Sequence, residues 1–112
     1  ILISSVGKPT WGEGEYKHDT YVFNFVGTEL EKLHATPKPL EVIEHLLSWV
    51  SPSKSIIYDP FLGSGTTLIA CERLSRKCYG VEIEPRYADV ILRRWESESG
   101  QDAQLLERVT DE

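Results

Sequence analysis

Apolar positions change their spacing along this chain, and the changes mark its elements. Residues 1–6 and 21–26 are rich in β-formers and predict extended segments. Between them, 10–20 carries Gly12, Gly14 and mixed charges and reads as a loop, and 27–38 is irregular. From Pro39 the period becomes helical: Leu40, Ile43, Leu46, Leu47 and Val50 share one face, with Glu41, Glu44 and His45 off it. Pro39 suits a first turn, and Ser51-Pro52 stops the helix. A short apolar run over 55–58 predicts a buried strand. A helix follows over 66–77, with Ile69, Ala70 and Leu74 inward and Arg73, Arg76 and Lys77 near the carboxyl end, where the dipole favours cations. A strand over 78–83 and an amphipathic helix over 86–98, carrying Tyr87, Val90, Ile91 and Trp95, complete the pattern. Strand, helix and strand in this order predict a right-handed parallel unit of the α/β class. Residues 104–109 offer one more short strand before an acidic end that frays.

Composition narrows the class. With 112 residues, 40% hydrophobic and 27% charged, the chain is one small folded domain or part of a larger one. A formal net charge of -6 argues against binding nucleic acid by electrostatics alone, so such a surface is local or supplied elsewhere. No apolar run approaches the ~20 residues that cross a bilayer, and no secretory pattern opens the chain. The expectation is a cytoplasmic protein with no membrane partner. Cys71 and Cys78 read as small core residues of a reduced protein, and no Cys/His cluster accompanies them to hold a metal. The chain contains no Met and opens at Ile1 in mid-pattern, which predicts a piece of a longer protein.

The most informative stretch is Asp59-Pro60-Phe61-Leu62-Gly63-Ser64-Gly65-Thr66-Thr67. It reads as the carboxyl end of a strand, a glycine turn and the amino end of a helix, the arrangement that holds nucleotide-like ligands in α/β proteins. Gly63 and Gly65 allow positive φ and close approach of a ligand to the backbone. The bland alternative is a tight turn that binds nothing. A phosphate-binding NTPase loop is excluded, because it needs Gly-Lys-Ser/Thr and here Gly65 is followed by Thr66-Thr67.

Two further motifs line up with this loop: His34-Ala35-Thr36-Pro37-Lys38-Pro39-Leu40-Glu41 before it, and Gly80-Val81-Glu82-Ile83-Glu84-Pro85 after it, followed by Tyr87 and Arg93-Arg94-Trp95. Together they closely resemble the S-adenosylmethionine-binding half of DNA amino-methyltransferases, which methylate adenine N6 or cytosine N4. The resemblance covers roughly residues 34–96 and is best with the subgroup whose catalytic motif precedes the cofactor motifs. It implies a partial Rossmann-like methyltransferase fold, with parallel strands and flanking helices. It also implies an S-adenosylmethionine-binding subdomain over 34–112, with 1–33 as the end of a catalytic and target-recognition half.

For that cofactor, the backbone N–H groups around Gly63, Ser64, Gly65, Thr66 and Thr67 suit its carboxylate. The resemblance adds a hydroxyl from Thr36 and a charge from Lys38. Asp59 would accept from the ammonium, directly or through water, and Glu82 from the ribose hydroxyls. Pro60 shapes the loop, and Phe61 and Ile83 are candidate walls for the adenine and the apolar chain. Thr36 and Pro39 also serve as ordinary helix-start residues. Glu84 reads as a solvated charge opening the next helix, Tyr87 and Trp95 as core or interface aromatics, and His34 as structural. Ala35 stands where many relatives carry proline, which alters loop stiffness and removes no ligand group.

Catalysis in the resembled family rests on Asp/Asn/Ser-Pro-Pro followed by an aromatic residue, and no such tetrapeptide occurs here. The nearest matches, Asp59-Pro60-Phe61 and Ser51-Pro52-Ser53, lack the second proline. No catalytic residue is therefore assigned. In the matching subgroup the catalytic segment lies earlier, which places it before Ile1. The expectation is a cofactor-binding portion, inactive alone, of an enzyme whose partner is duplex DNA. The alternative is a non-catalytic binding or assembly module from a split or decayed phage methylase. An incomplete sheet also predicts self-association or marginal stability.

Overall fold

The computed structural model describes residues 38–108. The extended segments expected over 1–6 and 21–26, together with His34 and Thr36, lie outside the described residues. The elements run in the order α1 (Leu40–Val50), β1 (Ile56–Asp59), α2 (Thr66–Arg73), β2 (Lys77–Gly80) and α3 (Pro85–Ser99). The two strands pair in parallel, with Ile56 opposite Lys77 and Asp59 opposite Gly80. This is an α/β arrangement with the helices packed around α2.

The alternation of β1 and β2 divides the sheet. Ile57 and Cys78 turn toward α2 and join a core of Leu47, Ala70 and Cys71, with Leu40, Ile43 and Leu74 packed against it. Ile56, Tyr58, Tyr79 and Val81 alternate onto the opposite face and stay more than half exposed. Cys71 is wholly buried. A hydrogen bond with Cys78, and then burial, push its thiol far above the ordinary value, so it behaves as a core side chain.

The second helix ends four residues earlier than its pattern predicts. Ser75 adopts a left-handed conformation, φ 56°. Arg76 N–H reaches Cys71 O at 2.8 Å and Ser75 N–H reaches Glu72 O at 3.3 Å, the paired bonds of a Schellman turn. Because a serine and not a glycine occupies the left-handed position, the stop is silent in the sequence. Arg76 and Lys77 consequently leave the helix, and Arg73 alone is the cation of its last turn. The Arg76 guanidinium closes the end of α1 instead. It donates to Ser51 Oγ at 2.8 Å, to Leu47 O at 3.3 Å and to the Ser51 carbonyl, while also holding Leu74 O at 2.7 Å.

The second strand starts one residue before the predicted run and ends at Gly80. Backbone pairing nevertheless continues past it, from Val81 N–H to Asp59 O and from Leu62 N–H to Val81 O, both at 3.0 Å. Pro85 opens α3 at a position that needs no N–H, Glu84 caps it by accepting from Arg86 N–H, and Gly100 closes it with φ 69°. The expected strand after it does not form over 104–108, where Leu105 and Leu106 are exposed. Helices α2 and α3 are joined at the surface by Arg73, whose Nε and Nη2 donate to the two carboxylate oxygens of Glu98 at 2.6 and 3.0 Å. Trp95 Nε1 donates to Glu72 at 3.0 Å on the same seam. No helix among the described residues is long and apolar enough to cross a membrane.

Candidate functional site

At the carboxyl end of β1 the chain leaves the sheet and turns back within six residues. Asp59 starts the turn by accepting the Phe61 N–H on Oδ1 at 3.0 Å. Leu62 N–H is held by Val81, and Gly65 N–H closes on Leu62 O at 2.9 Å. Gly63 and Gly65 take φ 60° and 83°, a region that L side chains rarely adopt. Space is short as well: a Cβ on Gly65 would lie 3.0 Å from Ile91 Cγ1, so α3 packs directly on the loop. On the neighbouring strand a Cβ on Gly80 would meet the Leu62 side chain at 2.6 Å.

Glu82 joins the end of β2 to this loop. Its Oε2 accepts Gly63 N–H and its Oε1 accepts Glu84 N–H, both at 2.8 Å. The carboxylate thus stands beside the glycine turn at the carboxyl edge of the sheet. Ser64, Gly65, Thr66 and Thr67 are buried. Thr66 Oγ1 donates to Lys38 O at 3.2 Å and lies 3.4 Å from Ser64 Oγ, so the loop also carries the segment that leads into α1. With these hydroxyls turned inward, what the loop offers outward is backbone. Gly65 gives no side-chain cap to α2, and the first bond of that turn is Ile69 N–H to Gly65 O at 3.1 Å. The N–H groups of Thr66, Thr67 and Leu68 precede it, at the positive end of the helix dipole. Such a turn receives a carboxylate or phosphate.

The structure therefore gathers Asp59, Gly63, Ser64, Gly65, Thr66, Thr67 and Glu82 at one edge, with Lys38 tied in through its carbonyl. Pro60 is exposed on the loop. Phe61 and Ile83 are 81% and 95% exposed, flanking the site without closing it. Thr36 lies outside the described residues. Sequence reasoning gave Arg94 no role, yet its guanidinium lies beneath the loop with Nη1 2.6 Å from Ser64 O. The available signal was an arginine three residues past Ile91, on the apolar stripe of α3. Among the described residues no group of three or more His, Cys, Asp or Glu is placed to hold a metal ion.

Known proteins are similar to this chain in sequence and fold. A family model for DNA methylase, the N6/N4 methyltransferases, matches residues 8–93. The type II methyltransferase M.ScaI of Streptomyces caespitosus is 41% identical over 66 residues, covering 59% of this chain and 22% of its own length. M.BglII from Bacillus subtilis is 34% identical over 79 residues, with 69% and 22% covered. The chain thus spans about a fifth of these relatives. Among solved structures, an M1.HpyAVI–SAM complex aligns at TM-score 0.63 and 30% identity, over 76% of this chain and 44% of that one. TTHA0409, a putative DNA modification methylase from Thermus thermophilus complexed with S-adenosyl-L-methionine, aligns at TM-score 0.53 and 45% identity, over 55% and 26%. A glycine turn braced by the acidic residue just past the next strand, inside a match that takes in most of the chain, leads to one conclusion: the chain belongs to the DNA methylase family of N6/N4 methyltransferases.

Proposed function

We propose that this chain is the S-adenosylmethionine-binding, carboxyl-terminal part of a DNA methyltransferase acting on an exocyclic amino group, adenine N6 or cytosine N4. The observation that carries the reading is the glycine loop at the open amino end of α2, with the Glu82 carboxylate 2.8 Å from Gly63 N at the end of the adjacent strand. The donors and acceptors fit the ligand's ends. Amides of the first turn of α2 would receive its carboxylate. Asp59 would accept from its ammonium, and Glu82 from its ribose hydroxyls. The family resemblance adds a hydroxyl from Thr36 and a charge from Lys38 at the same end, and Pro60, Phe61 and Ile83 supply the exposed rim.

The bound cofactor supplies an electrophilic methyl on its sulfonium. The chain's own residues would bind and orient it, a proximity contribution. Selecting and flipping a base from duplex DNA requires a pocket and DNA contacts that the described residues do not visibly supply. Isothermal titration calorimetry of the folded chain with S-adenosylmethionine tests the reading. Saturable binding supports it, and no heat at millimolar ligand contradicts it. Methyl transfer to duplex DNA by a longer chain carrying the catalytic tetrapeptide tests the enzyme assignment, and its absence overturns that part.

One feature favours a second reading. The 112 residues contain no Asp/Asn/Ser-Pro-Pro-aromatic tetrapeptide. A cofactor-binding or assembly module of a split or decayed phage methylase accounts for that equally well. Mixing the chain with a separate polypeptide that carries the tetrapeptide discriminates the two: restored transfer indicates a split enzyme.

A further inference from the structure

Helix α3 carries a buried charge directly beneath the cofactor loop. Arg94 is 8% exposed, an unusual depth for a residue whose desolvation costs several kcal/mol. Its Nη1 donates to Ser64 O at 2.6 Å and lies 3.4 Å from Ser64 Oγ and 3.5 Å from Thr66 Oγ1. These three oxygens flank Gly65, the residue of largest positive φ in the loop.

The bonds have a consequence for the direction of the loop amides. A peptide unit held at its carbonyl and at its N–H cannot rotate. The 64–65 unit is held by Arg94 on Ser64 O and by Leu62 O on Gly65 N–H. The 62–63 unit is held by Gly65 N–H on Leu62 O and by Glu82 on Gly63 N–H. Between these two fixed planes sits the Ser64 N–H, and the amides of Thr66 and Thr67 follow in the open first turn of α2. The guanidinium also adds a full positive charge beneath the positive end of the α2 dipole, where an anionic group is stabilised.

We propose that Arg94 is a positioning residue for the cofactor loop: seated beneath Ser64 and Thr66, it holds the loop amides in the direction that receives the carboxylate of S-adenosylmethionine. The inference rests on the cofactor reading given under Proposed function and adds a residue to it. An arginine serving only to fill the core would affect stability and leave affinity in the folded state unchanged.

The experiment compares the full chain with Arg94→Met, Arg94→Lys and the exposed control Arg93→Met. Each is assessed by calorimetric titration with S-adenosylmethionine at about 10 °C, near maximal stability. Thermal melting and amide hydrogen exchange over 63–67 are recorded alongside. R94M is expected to bind about tenfold or more weakly while folded, with the Ser64 and Gly65 amides exchanging faster. R94K, which keeps the charge without the planar fork, is expected to lose about threefold. R93M is expected to match the parent in affinity and exchange. A folded R94M with parental affinity overturns the proposal, as does a fall in melting temperature with affinity unchanged in both Arg94 variants. If R94M does not fold, R94K decides alone, and parental affinity with parental exchange overturns it. A parent chain that binds no S-adenosylmethionine contradicts the cofactor reading instead. Exchange over 63–67 then still decides whether Arg94 holds the loop.

Discussion

The carboxylate of Glu82 accepts the N–H of Gly63 at 2.8 Å across 19 positions of sequence, tying the end of one parallel strand to the turn that follows the other. Its second oxygen takes Glu84 N–H, so the same side chain also sets the entry to α3. Glu82→Gln keeps the size but places a donor where one of these acceptors stands. A hydrogen bond to a charged group contributes about 1.5–3 kcal/mol, so affinity for S-adenosylmethionine is expected to fall about tenfold to a hundredfold. Calorimetry on the folded variant measures it, and parental affinity would show that Glu82 serves the fold alone.

Gly65 and Gly100 share a left-handed backbone but differ in surroundings. A Cβ at Gly65 meets Ile91 at 3.0 Å, and one at Gly100 meets nothing within 4 Å. Gly100→Ala should cost about 1–2 kcal/mol from the backbone alone. Gly65→Ala should cost about 1–3 kcal/mol more through overpacking against α3. Denaturant unfolding of both variants gives the difference. A double mutant with Ile91→Ala should recover part of the G65A loss, and strict additivity would show that the contact carries no strain.

Acid should weaken the α2–α3 seam in a defined direction. The hydrogen bonds from Arg73 hold the Glu98 carboxyl below its ordinary value. A lowered folded-state pKa stabilises the fold above the ordinary carboxylate pKa, and that contribution fades as pH falls through the lowered value. Both side chains are partly exposed, at 46% for Arg73 and 29% for Glu98, so solvent screening makes the effect small. Glu98→Gln should lower stability near neutrality by no more than about 1 kcal/mol and flatten the acid limb of the stability–pH curve. An acid limb identical to the parent's would remove the pair from the stability balance.

Much of this architecture could be read from the chain before its structure. The three helices and two strands follow from apolar spacing, and the glycine turn follows from Gly63 and Gly65 between an apolar run and a helix former. What escaped has a physical cause in each instance. The end of α2 at Arg73 depends on Ser75 in a left-handed conformation, where pattern reading expects glycine. The second strand stops at Gly80 while its backbone bonds continue, so a count of β-formers overshoots it. Residues 104–108, Gln-Leu-Leu-Glu-Arg, contain no β-branched or aromatic side chain, and a strand exists only through a partner. The roles of Arg76 and Arg94 are tertiary: each long side chain leaves its own segment to hold carbonyls elsewhere, and spacing shows at most that Arg94 falls on the apolar stripe of α3, not which carbonyl it reaches.

An exposed apolar face bears on handling of the protein. Ile56 and Tyr58 of β1 stand beside Tyr79 of β2 and Val81, with exposures from 51% to 67%. Parallel sheets are ordinarily covered on both faces. Concentration-dependent association is expected in sedimentation velocity, reduced by Tyr58→Lys with Tyr79→Lys. A monomer at every concentration would contradict it.

If the loop from Gly63 to Thr67, braced by Glu82, holds S-adenosylmethionine, its backbone amides must respond to the cofactor. Backbone amide chemical shifts of the isotope-labelled chain, followed during titration with the cofactor, test it most directly. The largest saturable changes are expected at Gly63, Ser64, Gly65, Thr66, Thr67 and Glu82, with one common dissociation constant. Saturation with these amides unmoved, or changes centred on another surface, would contradict it.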